Sequence, residues 1–593
     1  MKKCAIWLLA CLLTVQLCGC AGGAQNSTET TSAASADVNT ADTSQMDFAF
    51  TDRELAGTYT QAVDISPSAG QTITKAGTYI LCGNITDTMI TVAVGENDKV
   101  QLVLDNATIA NSKGPAIYVK SADKVFITLK EGTVNTVSDG TSYEITDGDT
   151  TLDAAIFSRA DLAINGSGTL HVNGNYKHGI TSKDDLVITA EKLNITAKNV
   201  GLDGKDCVKI SAGSVTINAG SDGIRSDNAE DAHRGYVYIQ KGTLDITAGN
   251  DGIQAETVLK IDTADMTVTA GGGSKQSLGS SSESFKGLKA SSDILIAGGN
   301  YTIDSKDDCI HSNHTVSITD GSFVLSSGED GIHGDTDLGI SGGNIRITKS
   351  YEGLEATNIK ISGGNISVVA SDDGINDAGG MDGSSMNGRP GMGGFSSSTG
   401  TVVICGGYIV VDASGDGLDS NGTLEITGGI TLVSGPTNSG NGTLDYENSA
   451  NITGGTLVAI GSSGMAQSIG STGERGVLAC TLTSQSGGTS FIVLDSEGKV
   501  VLSFTPAKTY NCAVVTSPDM IAGNTYTVVV GGVVDGADEN GYATNTTYTG
   551  GTTLGSLQIS NGTSTSGMMG GGGGGQQPPG GNRPGGNRPG GGW

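Results

Sequence analysis

Acidic side chains recur at regular intervals through the middle of this chain, each two residues before an Ile or Leu. They are Asp222, Asp251, Asp308, Asp330, Glu352, Asp373 and Asp416, with Lys286 taking the place of an acid once. The Ile and Leu positions are 180, 202, 224, 253, 288, 310, 332, 354, 375 and 418, so successive steps are 22, 22, 29, 35, 22, 22, 22, 21 and 43 residues. The long steps hold insertions at Asp227–Arg234, Gly271–Ser284 and Met381–Gly400. If these periods stack, the carboxylates form a column spaced by about 4.8 Å, the distance between neighbouring strands. Each adjacent pair would repel by about 1 kcal/mol in bulk water and by several at an effective dielectric near ~20. Something must offset that repulsion. Oxygen-coordinated divalent cations do so, and Ca²⁺ accepts the irregular geometry of stacked turns; turn amides or solvent are the other routes. The candidate Ca²⁺ ligands are Asp184, Asp206, Asp222, Asp227, Asp307, Asp308, Asp330, Asp335, Glu352, Asp372 and Asp373.

One residue after each Ile or Leu lies a second column, expected to face outward. Its members include Arg225, Lys289, His311, His333, Glu355 and Asn376. A strip mixing cations, amides and acids suits polymers that carry hydroxyls and carboxylates, so these six are the candidate carbohydrate-binding residues. Lys286 and Lys289, expected to face outward beside Asp308, admit two readings. In an eliminative polysaccharide lyase a Lys abstracts the proton α to a uronate carboxylate that Ca²⁺ neutralises. As plain counter-charges in an acidic column they need no substrate, and that is the reading adopted. The chain contains no G-x-S-x-G, H-E-x-x-H, phosphate-binding or dinucleotide motif in a supporting context. No catalytic residue is therefore assigned, and Lys286 and Lys289 stand as the bases of the lyase alternative.

The elements that carry these columns are short strands. Each period holds two further apolar-x-apolar triplets, such as Leu338-Gly-Ile340 and Ile345-Arg-Ile347. That is the period-2 signature of a strand with one buried face. Gly-Gly-Asn and Ser-Asp-Asp turns separate them and supply left-handed and Asx conformations. Three strands per period of about 22 residues describe one coil of an all-β, parallel β-helix. Looser coils extend upstream through Ile80, Val103, Ile117, Ile127 and Ile156, and downstream towards residue 470. Longer strands such as Phe491–Leu494 and Tyr526–Val530 then indicate a small C-terminal antiparallel β domain covering the open end.

Composition narrows the partners. Of 593 residues 94 are Gly, yet only 10 are Pro, which excludes collagen. With 33 Lys plus Arg against 62 Asp plus Glu, the formal charge of −29 repels nucleic acid. The natural partners are cations, neutral sugars, or acidic polymers bridged by cations. Residues 1–20 form a basic and then apolar leader ending Leu17-Cys18-Gly19-Cys20, which resembles a bacterial lipobox with Cys20 as the lipidated residue. An ordinary cleaved signal is the alternative. The expected order is leader (1–20), Ser/Thr-rich tether (21–50), β-helix (51–475), cap domain (476–560) and disordered Gly/Pro-rich tail (561–593). The protein is thus expected outside the cytoplasm, lipid-anchored at the bacterial cell surface. Cys480 and Cys512 form a possible disulfide.

The phrases AGTYILCGNI (76–85), KVQLVLDNATI (99–109), SKDDLVIT (182–189), SDGIRSDN (221–228), SKDDCIHSN (305–313), EDGIHGD (329–335) and SYEGLEA (350–356) together resemble a bacterial family. Its members are named carbohydrate-binding domain-containing proteins. The resemblance implies a secreted or lipid-anchored right-handed parallel β-helix, similar in architecture to Ca²⁺-dependent pectate lyases. It also implies Ca²⁺ on the acidic turns, and binding of polysaccharides such as pectic polygalacturonate and cellulose on the outside. Cys309 departs from the pattern, standing where sister coils carry Gly, and Tyr351 and Tyr408 are the remaining candidates for an aromatic platform. The expected function is non-catalytic, Ca²⁺-assisted polysaccharide binding. The alternatives are a pectate-type lyase and an adhesin or rigid surface spacer.

Overall fold

The computed structural model describes residues 38–59, 72–144, 151–277, 279, 282–377 and 400–561, with the backbone of 62–65 and 565–567. The expectations for the leader with Cys20, for 21–37 of the tether, for the insertion up to residue 399 and for most of the tail lie outside the described residues. Among the described residues the only helix is Asp52–Ala56, closed at its start by a capping box between Thr51 and Glu54.

One coil shows how the sequence makes the fold. Leu202–Gly204, Cys207–Ile210 and Ser214–Ala219 are three strands joined by tight corners, the second corner turning at Gly213 with φ of 93°. Leu202, Val208, Ile210, Val215 and Ile217 point inward and are fully buried. Each strand pairs in parallel with its equivalents in the coils before and after, so three sheets run the length of the molecule. In the first sheet the register is Ile180, Leu202, Ile224, Ile253, Leu288, Ile310, Ile332, Leu354, Ile375, Leu418 and Leu444. The insertions at 227–234 and 271–284 leave this register intact. The inward residues form one apolar core from Ile73 to Val514, each large side chain contributing roughly 1.5–3 kcal/mol on burial.

A glycine precedes most of these Ile and Leu residues because the corner has no room for a β-carbon. One built on Gly287 would lie 2.4 Å from the Ile303 Cγ2 methyl and 2.5 Å from the Cys309 carbonyl oxygen. On Gly353 it would lie 2.2 Å from Val368 Cγ1. Cys309 occupies the same position and is fully buried. Its coil differs in the third sheet, where Leu325 stands at the position of Ile303 and Ile347. Leucine branches one carbon later, so the obstructing methyl is missing there.

At the C-terminal end Leu478–Gln485 and Tyr510–Thr516 continue the third sheet as antiparallel strands beyond Ser449–Gly461. A five-stranded antiparallel sheet (Phe491–Leu494, Val500–Phe504, Thr525–Val530, Tyr542–Thr544 and Thr552–Gln558) packs beside it. The contact is made by the outer side chains of the last coils, Leu432, Val458 and Ile460, against Phe491, Leu502 and Val528. The domain therefore covers the outer flank of the third sheet as well as the open end. The expected Cys480–Cys512 bridge is absent and both thiols are free. Cys480 opposes Ala513 and Thr481 opposes Cys512, so the pleat points the two cysteines to opposite faces.

Residues 38–50, which the sequence places in the tether, are instead a strap along the outside of the second sheet. Val38 lies on Gly339, and the Asn39 carbonyl accepts from Thr315 Oγ1 at 2.7 Å. Phe48 packs against Tyr236 and Tyr238 with centroids 5.3 and 4.9 Å away. Buried Lys209 donates to the carbonyls of Asp47 and Ala49 at 3.1 and 2.8 Å. Aromatic residues decide this docking, which Ser/Thr composition alone does not reveal.

Replacing Leu325 by Ile should return the obstructing methyl and destabilise the chain by about 1–3 kcal/mol. Adding Cys309→Gly should recover most of that loss. Urea unfolding of the two single variants and the double checks it, and strictly additive effects would contradict the account.

Candidate functional site

The carboxylate column exists, and its first task is to bind backbone. Asp222 Oδ1 accepts the amide of Asp251 at 3.3 Å, and Asp251 Oδ1 accepts that of Lys286 at 2.7 Å. Asp308 accepts from Asp330 at 2.9 Å, Asp330 from Glu352 at 3.1 Å, and Asp373 from Asp416 at 2.5 Å. Each acid thus caps the equivalent residue one coil along. Of the routes open to the sequence reading, amide capping is present along most of the column, and it needs no ion.

Where the ladder lacks an acid, Lys286 fills the gap. Sequence reading places Lys286 outward; the structure buries it, with Nζ 2.5 Å from Asp308 and 3.2 Å from Asp307. Burial pushes the Asp308 carboxyl up, but the Lys286 ammonium, then His311 and His333, hold it well below the ordinary carboxylate range. Lys289 is half-buried and 3.4 Å from Asp251. Neither lysine is an open base.

The second column is likewise covered rather than exposed. His311, His333, Glu355 and Asn376 are all buried, with His333 at 0% exposure. The His311 and His333 rings stack 4.8 Å apart and 16° from parallel. His333 Nδ1 lies 2.8 Å from Glu355 and 3.4 Å from Asp330, while Nε2 lies 3.0 Å from Asp335. Burial opposes its charge, yet these three carboxylates raise the His333 pKa well above its ordinary value. Burial and then the Lys286 charge lower that of His311. The three carboxylates thus favour charge on His333, while burial and Lys286 disfavour it on His311, which works against a like-charge contact in the stacked pair. Asn376 donates to Glu352 at 2.7 Å. Arg225 is half-buried, 3.0 Å from Asp203, 3.6 Å from Asp222 and 3.9 Å from Asp227.

Three groups bring potential ligand atoms within 4.8 Å of one another: Asp330, His333 and Glu355; Asp161, Asp184 and Asp185; and Asp373, Asp416 and Asp419. The first is fully buried, the others half-buried. Asp206 of the expected set is instead ion-paired to Arg234 and accepts from Asn228 at 2.5 Å. Tyr351 and Asp372 are hydrogen-bonded to each other, which with burial raises the Tyr351 phenol. Sequence reading omitted Asp161, Asp185, Asp416 and Asp419 as ligands. The first pair stacks in the second sheet, whose register the first-sheet period does not report, and the second pair belongs to two different columns that converge at one coil. Burial first, then neighbouring carboxylates, push Asp373 up to about 7 and Asp419 to about 8. Asp416 is raised to about 6, chiefly by burial.

The stacked coils and their polar columns can be set beside known proteins. A carbohydrate-binding domain-containing protein of Acetivibrio thermocellus is 36% identical over 201 residues, covering 34% of this chain and 70% of the relative. The chain belongs to the carbohydrate-binding domain-containing protein family. The family model itself matches residues 69–331 of this member. A solved structure described as a polysaccharide lyase-like protein from C. thermocellum, gadolinium derivative, shares 36% identity with it. That match covers 40% of this family member and 95% of the solved chain, with a TM-score of 0.36.

Two outcomes follow from the ladder. Lys286→Met should cost about 3–5 kcal/mol by stranding two buried carboxylates, and Asp308→Asn in the same chain should restore part of it, both read by urea unfolding. The raised carboxyls of Asp373, Asp416 and Asp419 hold protons in the fold that the unfolded chain, with a pKa near 3.8, has already lost. In chelator, melting temperature should therefore fall as pH rises through about 6 to about 8. A melting temperature that rises across that range would contradict the assignment.

Proposed function

We propose that this protein is a non-catalytic polysaccharide-binding protein of the bacterial cell surface that takes acidic glycans, pectic polygalacturonate among them, with the help of Ca²⁺. Family membership supports the glycan. The observation that carries the cation is the half-buried group Asp373, Asp416 and Asp419, whose carboxylate oxygens converge within 4.8 Å. An all-oxygen, anionic donor set suits a hard cation, and Ca²⁺ takes about 6–8 oxygen ligands, so three from the protein leave room for others. Asp161, Asp184 and Asp185 form a second all-carboxylate group, which Lys124 and Arg234 partly neutralise at 3.4 and 3.9 Å. Ca²⁺ held there would supply the positive charge that lets a carboxylate polymer approach a chain of formal charge −29. Asp416 Oδ1 keeps the Gly442 amide in place and Asp373 Oδ1 that of Asp416, so both coils present their remaining carboxylate oxygens in fixed positions.

The lyase alternative has little to stand on, because Lys286 is locked between Asp307 and Asp308 and Lys289 is tied to Asp251. Cys20 carries the lipid in this reading, and residues 21–37 lead from it to the strap. Val38 lies against Gly339, far along the second sheet from the coil that Arg53 and Glu54 reach at Phe126 and Lys124.

Residues 21–593 with Cys20 removed should be depleted by insoluble pectate when Ca²⁺ is present and released by chelator. Asp416→Asn with Asp419→Asn preserves side-chain shape and should weaken uptake about tenfold or more, roughly 1.4 kcal/mol. Uptake that ignores chelator would refute the cation-bridged reading, and no uptake at all would favour a rigid spacer.

A further inference from the structure

The outer face of the third sheet is open for most of its length. Its exposed columns carry Thr243, Asp265, Asn300, Ser322, Asn344 and Asn365 in register, ending at Tyr408. Beside them run Thr267, Thr302, Val324, Arg346 and Ser367. This polar track leads under the C-terminal domain. There the turn at 538–540 overhangs the sheet and encloses a cleft of about 820 Å³.

The cleft is built from fixed parts. Its floor holds Asn344, Arg346, Asn365 and Tyr408, and its roof holds Asp538, Glu539 and Asn540. Asp538 Oδ1 accepts the amides of Asn540 and Tyr542 at 2.9 and 3.0 Å, which sets the turn. Tyr408 Oη donates to Asp538 Oδ2 at 2.5 Å and latches roof to floor. Asn344 and Asn365 each follow a Gly-Gly corner, which starts a strand and projects the amide outward. Arg346 is exposed and makes no ion pair among the described residues, although two acids line the same cleft. Donors below and acceptors above thus face each other across space that neither side fills.

We infer that this cleft is a metal-independent binding site for a neutral polysaccharide, with the chain running along the third-sheet track. Vicinal hydroxyls both donate and accept. Arg346 and the two Asn amides would donate to them, while Glu539 and the open oxygens of Asp538 would accept. The half-buried Tyr408 ring offers a wall for the apolar face of a pyranose. Asp538 and Glu539 would repel a uronate, so the site selects against the acidic glycans assigned to the Ca²⁺ groups. Strand spacing of about 4.8 Å presents one coil's side chains for roughly each sugar along an extended chain. The cleft lies outside residues 69–331, so it is a feature of this chain beyond the span the family model matches. The inference is independent of the Ca²⁺ reading.

Affinity electrophoresis of residues 21–593 with Cys20 removed, in chelator, tests it with three probes: galactomannan, xyloglucan and polygalacturonate. Retardation is expected from at least one of the two neutral glycans and not from polygalacturonate. Arg346→Ala with Asn365→Ala should weaken it about tenfold or more, since an Arg hydrogen bond and an amide bond are lost together. Both substituted floor residues are exposed, and an unchanged melting temperature would show that the fold is retained. No retardation by either neutral glycan, retardation indifferent to the floor variant, or retardation by polygalacturonate that the floor variant abolishes would each overturn the proposal.

Discussion

Everything in this molecule depends on parallel strands stacking in one register. Each side chain stands directly over its equivalent in the previous coil, so like residues meet like. For Ile and Leu this is favourable, and the result is a core without a break from Ile73 to Val514. For glycine corners it permits an approach that no β-carbon would tolerate. For charged residues it sets a problem that the fold must solve locally, coil by coil.

The solution is visible in the first sheet and the corner before it. Most of the acids hand an oxygen to the amide of the next coil, so charge is balanced by backbone dipoles before any ion is needed. Where two coils bring more carboxylates than amides can balance, Lys286 and His333 enter. Buried ion pairs of this kind add little net stability, because desolvation cancels much of the attraction. Among the described residues, the converging acids Asp373, Asp416 and Asp419 remain half-buried with no ion pair to a cation of the chain.

The three sheets consequently differ in what they offer a partner. The outer side chains of the first are occupied by their own ionic ladder. Those of the second lie under the strap from Lys209 to Gly339, where Phe48 and the carbonyls of Asp47 and Ala49 cover Tyr236, Tyr238 and Lys209. The third stays open and polar along its middle, then turns apolar at Leu432, Val458 and Ile460, where the C-terminal domain sits. The third sheet and the half-buried acidic corner are thus the surfaces left open to a long partner.

Periodicity determined the fold by itself. Ten Ile and Leu positions read from spacing all fall in one column of the first sheet, because a stacked coil leaves a repeat that insertions interrupt but do not shift. The acidic column was legible for the same reason. Exposure was not. His311, His333, Glu355 and Asn376 are outward in strand parity yet buried, since parity says which side of a strand a residue takes and nothing about what covers that side; Lys286, in the corner before its strand, is buried as well. The apolar ends of Thr423–Ser434 and Ser449–Gly461 are buried on both faces. What packs there, and the cleft it leaves over Arg346, come from residues some 130 positions apart, as Tyr408 and Asp538 are. Contacts of that range carry no local pattern, so only the tertiary structure decides them.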